Sequence, residues 1–85
     1  MKLDDRTKEL IAIGASISAN CQPCLEHHLS KAVEYGADES EISDAISVGS
    51  LVRRGAAAKM DKFAQNLNKS QLVHKVEDDQ CGCPK

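Results

Sequence analysis

Aromatic side chains are nearly absent from this sequence: tryptophan is missing, and Tyr35 and Phe63 are the sole tyrosine and phenylalanine. A core must be built from Ala, Ile, Leu and Val, and it will be thin, because a short chain buries a small fraction of its surface. An excess of basic charge is missing too. The formal charge is −2 and the isoelectric point near 5.8, which leaves no footprint for nucleic acid. No apolar run approaches the ~20 residues of a membrane span. Met1-Lys2-Leu3-Asp4-Asp5 lacks the basic-then-apolar order of a signal peptide. These absences predict a cytoplasmic protein with no nucleic-acid or membrane partner, and 85 residues allow at most one domain. In that compartment, four cysteines read as catalytic or metal-binding thiols rather than as a structural disulfide framework.

What is present is helical patterning, punctuated by Gly, Pro and Asn. The first helix is expected from about Asp5 to Ser18, capped by Asp4, with Leu3, Leu10, Gly14 and Ile17 on one apolar face and Glu9 beside it. The second begins near Asn20 or Cys21, carries Pro23 in its first turn, and stops at Tyr35 with Gly36 in the left-handed conformation. Its apolar side holds Leu25, Leu29, Ala32 and Val33. Asp38 and Glu41 have capping-box spacing for a third helix, on which Ile42, Ala45, Ile46, Gly49, Val52, Ala56, Met60, Phe63 and Leu67 share a face. This is read as one long helix, bent near Gly49 or Gly55. Arg53 interrupts the stripe and is expected to make an interface ion pair, with a substrate clamp as the alternative. The expected fold is all-α, a small antiparallel subunit of three main helices. Residues 1–68 form the helical domain, and residues 69–85 form a loose tail ending in Cys81-Gly82-Cys83. Amphipathic helices with so little filler leave apolar surface uncovered, and a homo-oligomer is the expected way to cover it.

The chemistry concentrates at the start of the second helix. Cys21 and Cys24, two residues apart, lie within disulfide reach, and a helix N-terminus stabilises a thiolate. At 100° per residue, Cys21, Cys24 and His28 fall within roughly 60° of one another. His28 stands one turn after Cys24, where an imidazole can exchange a proton with a thiol. His27 points to the other side. A carboxylate orienting the imidazole would complete a relay, and Glu9 is the candidate. Helix-start chemistry alone makes Cys21 the nucleophile, as in thioredoxin-type motifs.

The spacing from Glu9 through Cys21-x-x-Cys24 to His28 resembles the redox motif of the alkylhydroperoxidase D-like branch of the carboxymuconolactone decarboxylase family. Gly36-Ala37-Asp38-Glu39-Ser40-Glu41-Ile42 and the small-residue helix after it are similar to the same family, so the resemblance covers roughly residues 5 to 67. It implies an alkylhydroperoxidase D-like helical subunit in a trimer or hexamer. It also implies peroxidase or disulfide-reductase activity on a peroxide or disulfide substrate, fed by a dithiol or thioredoxin-like reductant. By resemblance Cys24 attacks the peroxide, Cys21 closes the disulfide and faces the reductant, and His28 and Glu9 relay the proton. The best-studied members have histidine where this chain has Pro23, and two helical halves where this chain supplies one.

This reading needs no cofactor and no metal ion. Two others compete with it. One is a zinc-binding module using Cys21, Cys24, Cys81 and Cys83 with His27, His28 or His74. The other is a non-catalytic, redox-sensing helical oligomer. For single residues the plain alternatives are an edge-of-core His28, an ordinary salt-bridging Glu9 and a solvated His27. Cys81 and Cys83 are either incidental thiols or a second redox pair that shuttles electrons to the first.

Overall fold

A computed structural model describes residues 1–67. The expected tail of residues 69–85, with His74, Cys81 and Cys83, lies outside the described residues. Three helices, α1 (Asp5–Ser18), α2 (Gln22–Glu34) and α3 (Glu39–Gln65), account for the regular structure among the described residues, and the fold is all-α.

Local hydrogen bonds set the helix limits. The Asp4 carboxylate caps α1 by accepting from the Thr7 amide at 2.8 Å. At α3 the Asp38 carboxylate accepts from the Glu41 amide at 2.9 Å, and Glu41 reaches back to the Asp38 amide at 3.0 Å. That completes the capping box. Each of the first two helices ends in a paired motif. In α1, Asn20 N–H donates to Ile17 O and Cys21 N–H to Ser16 O; in α2, Gly36 N–H donates to Val33 O and Ala37 N–H to Ala32 O. This geometry needs a left-handed residue, supplied by Asn20 (φ 57°) and Gly36 (φ 91°).

The middle of the fold is α1, which packs against both other helices. Its α2 side pairs Ser16 with Cys21 and Glu9 with His28, so α2 runs back along it. Its α3 side pairs Arg6 with Glu41 and Gly14 with Gly49, so α3 runs in the same direction as α1. The expected face through Leu10, Gly14 and Ile17 lies at this α3 seam, while Glu9, Ile13 and Ser16 are the residues α1 buries. A helix packed on two sides buries more than one stripe, which a single-face reading does not anticipate. Leu3 lies before the helix and is 48% exposed, and Val33 on α2 is 62% exposed. Neither joins the core, whose wholly buried apolar members among the described residues are Ile13 and Ala32.

The two long helices meet through glycine. A Cβ on Gly49 would lie 2.8 Å from Ile17 Cβ and 3.0 Å from Gly14 Cα, so the backbones touch where neither residue has a side chain. Ser18 Oγ donates to Gly49 O at 3.1 Å across the same crossing. Continuing past Gly49 and Gly55 as one helix, α3 has residues 51–65 exposed throughout. An open groove of about 610 Å³ runs between α1 and α3, walled by Leu10, Ile11, Ala15, Val48 and Val52. Among the described residues, no helix is long and apolar enough to cross a membrane.

Candidate redox site

Cys21 is fixed by the two helices it joins. Its amide closes the end of α1 by donating to Ser16 O at 3.0 Å, and its carbonyl accepts from the Leu25 amide at 3.0 Å in the first turn of α2. It is the N-cap of α2, and its Sγ accepts from the Cys24 amide at 3.3 Å. Pro23 sits in the first turn, where a missing N–H leaves nothing unpaired. The Cα atoms of Cys21 and Cys24 are 5.3 Å apart, and the two sulfurs form a disulfide. Cys24 is exposed, and Cys21 is half-buried. On reduction, a sulfur placed to receive a backbone N–H at a helix start is favoured as thiolate.

Beside this pair lies a carboxylate–imidazole contact between helices. Glu9 Oε1 and His28 Nδ1 are 2.6 Å apart, with the Glu9 side chain 10% exposed and that of His28 30% exposed. A carboxylate only accepts, so the ring N–H at Nδ1 donates to it, and Nε2 is left to take up or deliver a proton. A nearly buried carboxylate requires such a partner, which accounts for a charged residue on the inner side of α1. The structure thus brings Cys21 to Cys24 at the start of α2 and Glu9 of α1 to His28 in the middle of α2, one helical turn after Cys24. His27 is exposed, yet its ring meets the His28 ring edge-on at a centroid distance of 4.9 Å.

One residue of this neighbourhood escapes a local reading. Arg53 on α3 donates through Nη1 to Ile17 O at 3.3 Å and to Asn20 Oδ1 at 3.0 Å, which carries its guanidinium to the α1–α2 corner. It joins Ser16, Gln22, Leu25 and Cys21 around a pocket of about 170 Å³. Within the chain Arg53 is in no salt bridge among the described residues. A cation on an otherwise apolar stripe was the signal for it in the sequence. Among the described residues, no group of three or more His, Cys, Asp or Glu side chains is placed to hold a metal ion.

A small helical protein with a cystine at a helix start and a half-buried carboxylate–imidazole pair joined through the next turn of that helix is the class that this geometry defines. The carboxymuconolactone decarboxylase family model matches residues 1–65, and the chain belongs to that family. It is similar to "Uncharacterized protein 4 in cox locus" of Paracoccus denitrificans, with 42% identity over 55 residues, 65% of this chain and 50% of that protein. The chain thus spans about half the length of the curated relative it matches. No solved structure matches it significantly.

Proposed function

We propose that the protein is a thiol-dependent oxidoreductase that reduces a peroxide or a disulfide through Cys21 and Cys24. The observation that carries this reading is the Cys21–Cys24 disulfide held at the start of α2, one turn before the Glu9-bonded His28. In the reduced state the Cys24 thiol gives its proton to His28, and the thiolate attacks the terminal oxygen of a hydroperoxide. The O–O bond breaks, the leaving alkoxide takes a proton, and Cys24 becomes a sulfenic acid. The Cys21 sulfur then attacks the Cys24 sulfur, its thiol proton passes to the departing hydroxide, the S–O bond breaks, water leaves and the disulfide closes. A dithiol or thioredoxin-like reductant attacks Cys21, supplies two electrons, and leaves oxidised. With a disulfide substrate the same thiols act by exchange and the sulfenic step is absent. Glu9 fixes the imidazole tautomer and offsets the charge that His28 acquires.

The subunit is further proposed to work as a homo-oligomer, a trimer or hexamer in keeping with the family. The support is the uncovered apolar surface of Val48, Leu51, Met60 and Phe63 along α3. The test of the activity is turnover of an organic hydroperoxide, and separately of a small disulfide, with a dithiol donor, comparing wild type with Cys24→Ser. Turnover by wild type that is lost in Cys24→Ser supports the reading. A variant as active as wild type, or a wild type inert toward both substrates, overturns it.

A further inference from the structure

We infer that Arg53 and the pocket beside Cys21 receive a carboxylate of the dithiol or disulfide that exchanges with the Cys21–Cys24 pair; this rests on the thiol-exchange reading above and names the chemistry of its partner. The pocket, about 170 Å³, has Cys21 in its wall together with Ser16, Asn20, Gln22 and Leu25. Among its lining residues Arg53 is the only charged one. Cavities for whole drug-sized ligands start at about 300 Å³, so this one admits a single short arm of a larger molecule.

The guanidinium is aimed rather than loose. Ile17 O and Asn20 Oδ1 both accept from its Nη1, which orients the group while the remaining donors of its fork stay free of partners among the described residues. The Glu9 carboxylate, the nearly buried acid on α1, is already engaged by His28 and does not neutralise Arg53. A cation with spare donors, lining a pocket whose wall also includes a redox cysteine, selects an anionic arm carrying sulfur. The carboxylate binds Arg53 through charge-assisted hydrogen bonds, and the arm brings its own sulfur to Cys21. When the partner is a dithiol, its thiolate attacks the Cys21 sulfur and the Cys21–Cys24 bond breaks with Cys24 leaving as thiolate. The partner's second thiolate then attacks its own sulfur in the mixed disulfide and releases Cys21. Reduced protein and a disulfide partner run the same steps backwards.

The experiment uses the full chain with Cys81→Ser and Cys83→Ser, so that the reacting thiols are Cys21 and Cys24. Reduced protein is mixed with dithiodipropionate or with its neutral diamide, which has nearly the same shape. Alkylation quench and mass spectrometry give both rate constants. Wild-type protein reacts with both; failure with both overturns the exchange reading itself, and this inference with it. In Arg53→Gln the diacid-to-diamide rate ratio should fall about tenfold through the diacid alone, the scale of one charge-assisted hydrogen bond discounted for exposure. Arg53→Lys should recover part of the ratio, and Arg54→Gln, which makes the same change in net charge one residue away, should leave it at the wild-type value. An unchanged ratio in Arg53→Gln, an equal loss with both probes, or an equal fall in Arg54→Gln would overturn the assignment.

Discussion

Three glycine-to-alanine substitutions on the long helices should give three different results, because the space at each glycine differs. At Gly49 the added methyl meets Ile17 Cβ at 2.8 Å and Gly14 Cα at 3.0 Å, and lies closer still to Gly14 O. Carbon atoms in contact prefer about 3.5–4.0 Å. Two of these three neighbours are backbone atoms, which cannot rotate away, so α1 and α3 must move apart. Overpacking costs about 1–3 kcal/mol, and backbone obstruction puts this case at the upper end; alanine's better helix propensity returns about 1 kcal/mol, leaving a net loss near 2 kcal/mol. For a domain of this size that lowers Tm by about 8–16 °C. Gly14→Ala meets Ala45 O at 3.2 Å and the Gly49 backbone at ordinary contact distance of 3.9–4.0 Å, so its steric cost and propensity gain nearly cancel. Gly55 has nothing within 4 Å, and Gly55→Ala should raise Tm by several degrees. The assay is thermal unfolding by far-UV circular dichroism at one fixed protein concentration, since an oligomer's Tm depends on concentration. A Gly49→Ala variant as stable as wild type would refute the glycine-mediated crossing. Destabilisation by Gly55→Ala would place another backbone against that residue.

Other outcomes follow from the site and the caps. His28→Ala should slow reaction at Cys24 by about 10²–10⁴, with His27→Ala near wild type despite the edge contact of the rings; equal effects from both would mean that the relay is wrongly drawn. The Glu41 amide and the Ser40 hydroxyl hold the Asp38 carboxyl below its ordinary value of 3.8. Its contribution is therefore fully present above that value and is lost as pH falls through the lower folded value. Asn caps nearly as well but does not titrate, so Asp38→Asn should flatten the acid limb of stability below pH about 4 in a series of urea melts. Light scattering at micromolar concentration should find an oligomer, and Met60→Asp with Phe63→Asp should shift it toward monomer; a well-folded wild-type monomer would reject the α3 interface.

The helix limits were legible in the chain because they are set by hydrogen bonds between near neighbours. Asp4, the Asp38–Glu41 box, Pro23 in a first turn and Gly36 after Tyr35 act within four residues, and each has the same partners whatever the rest of the fold does. The spacing of Cys21, Cys24 and His28 is likewise a property of one helix turn, and it raised Glu9 as a partner for the imidazole. Packing between helices was beyond that reach. Tertiary structure decided that α1 is the middle element, so that it buries Glu9, Ile13 and Ser16 as well as the seam at Gly14, and leaves Leu3 and Val33 outside. It also decided that Arg53, 32 positions after Cys21 in the sequence, stands at the pocket beside that cysteine. The reason is physical. Periodicity records which residues share a face. The closeness and direction with which two faces meet depend on where side chains are absent, and here the bare backbones of Gly14 and Gly49 set the contact that carries Arg53 to Asn20.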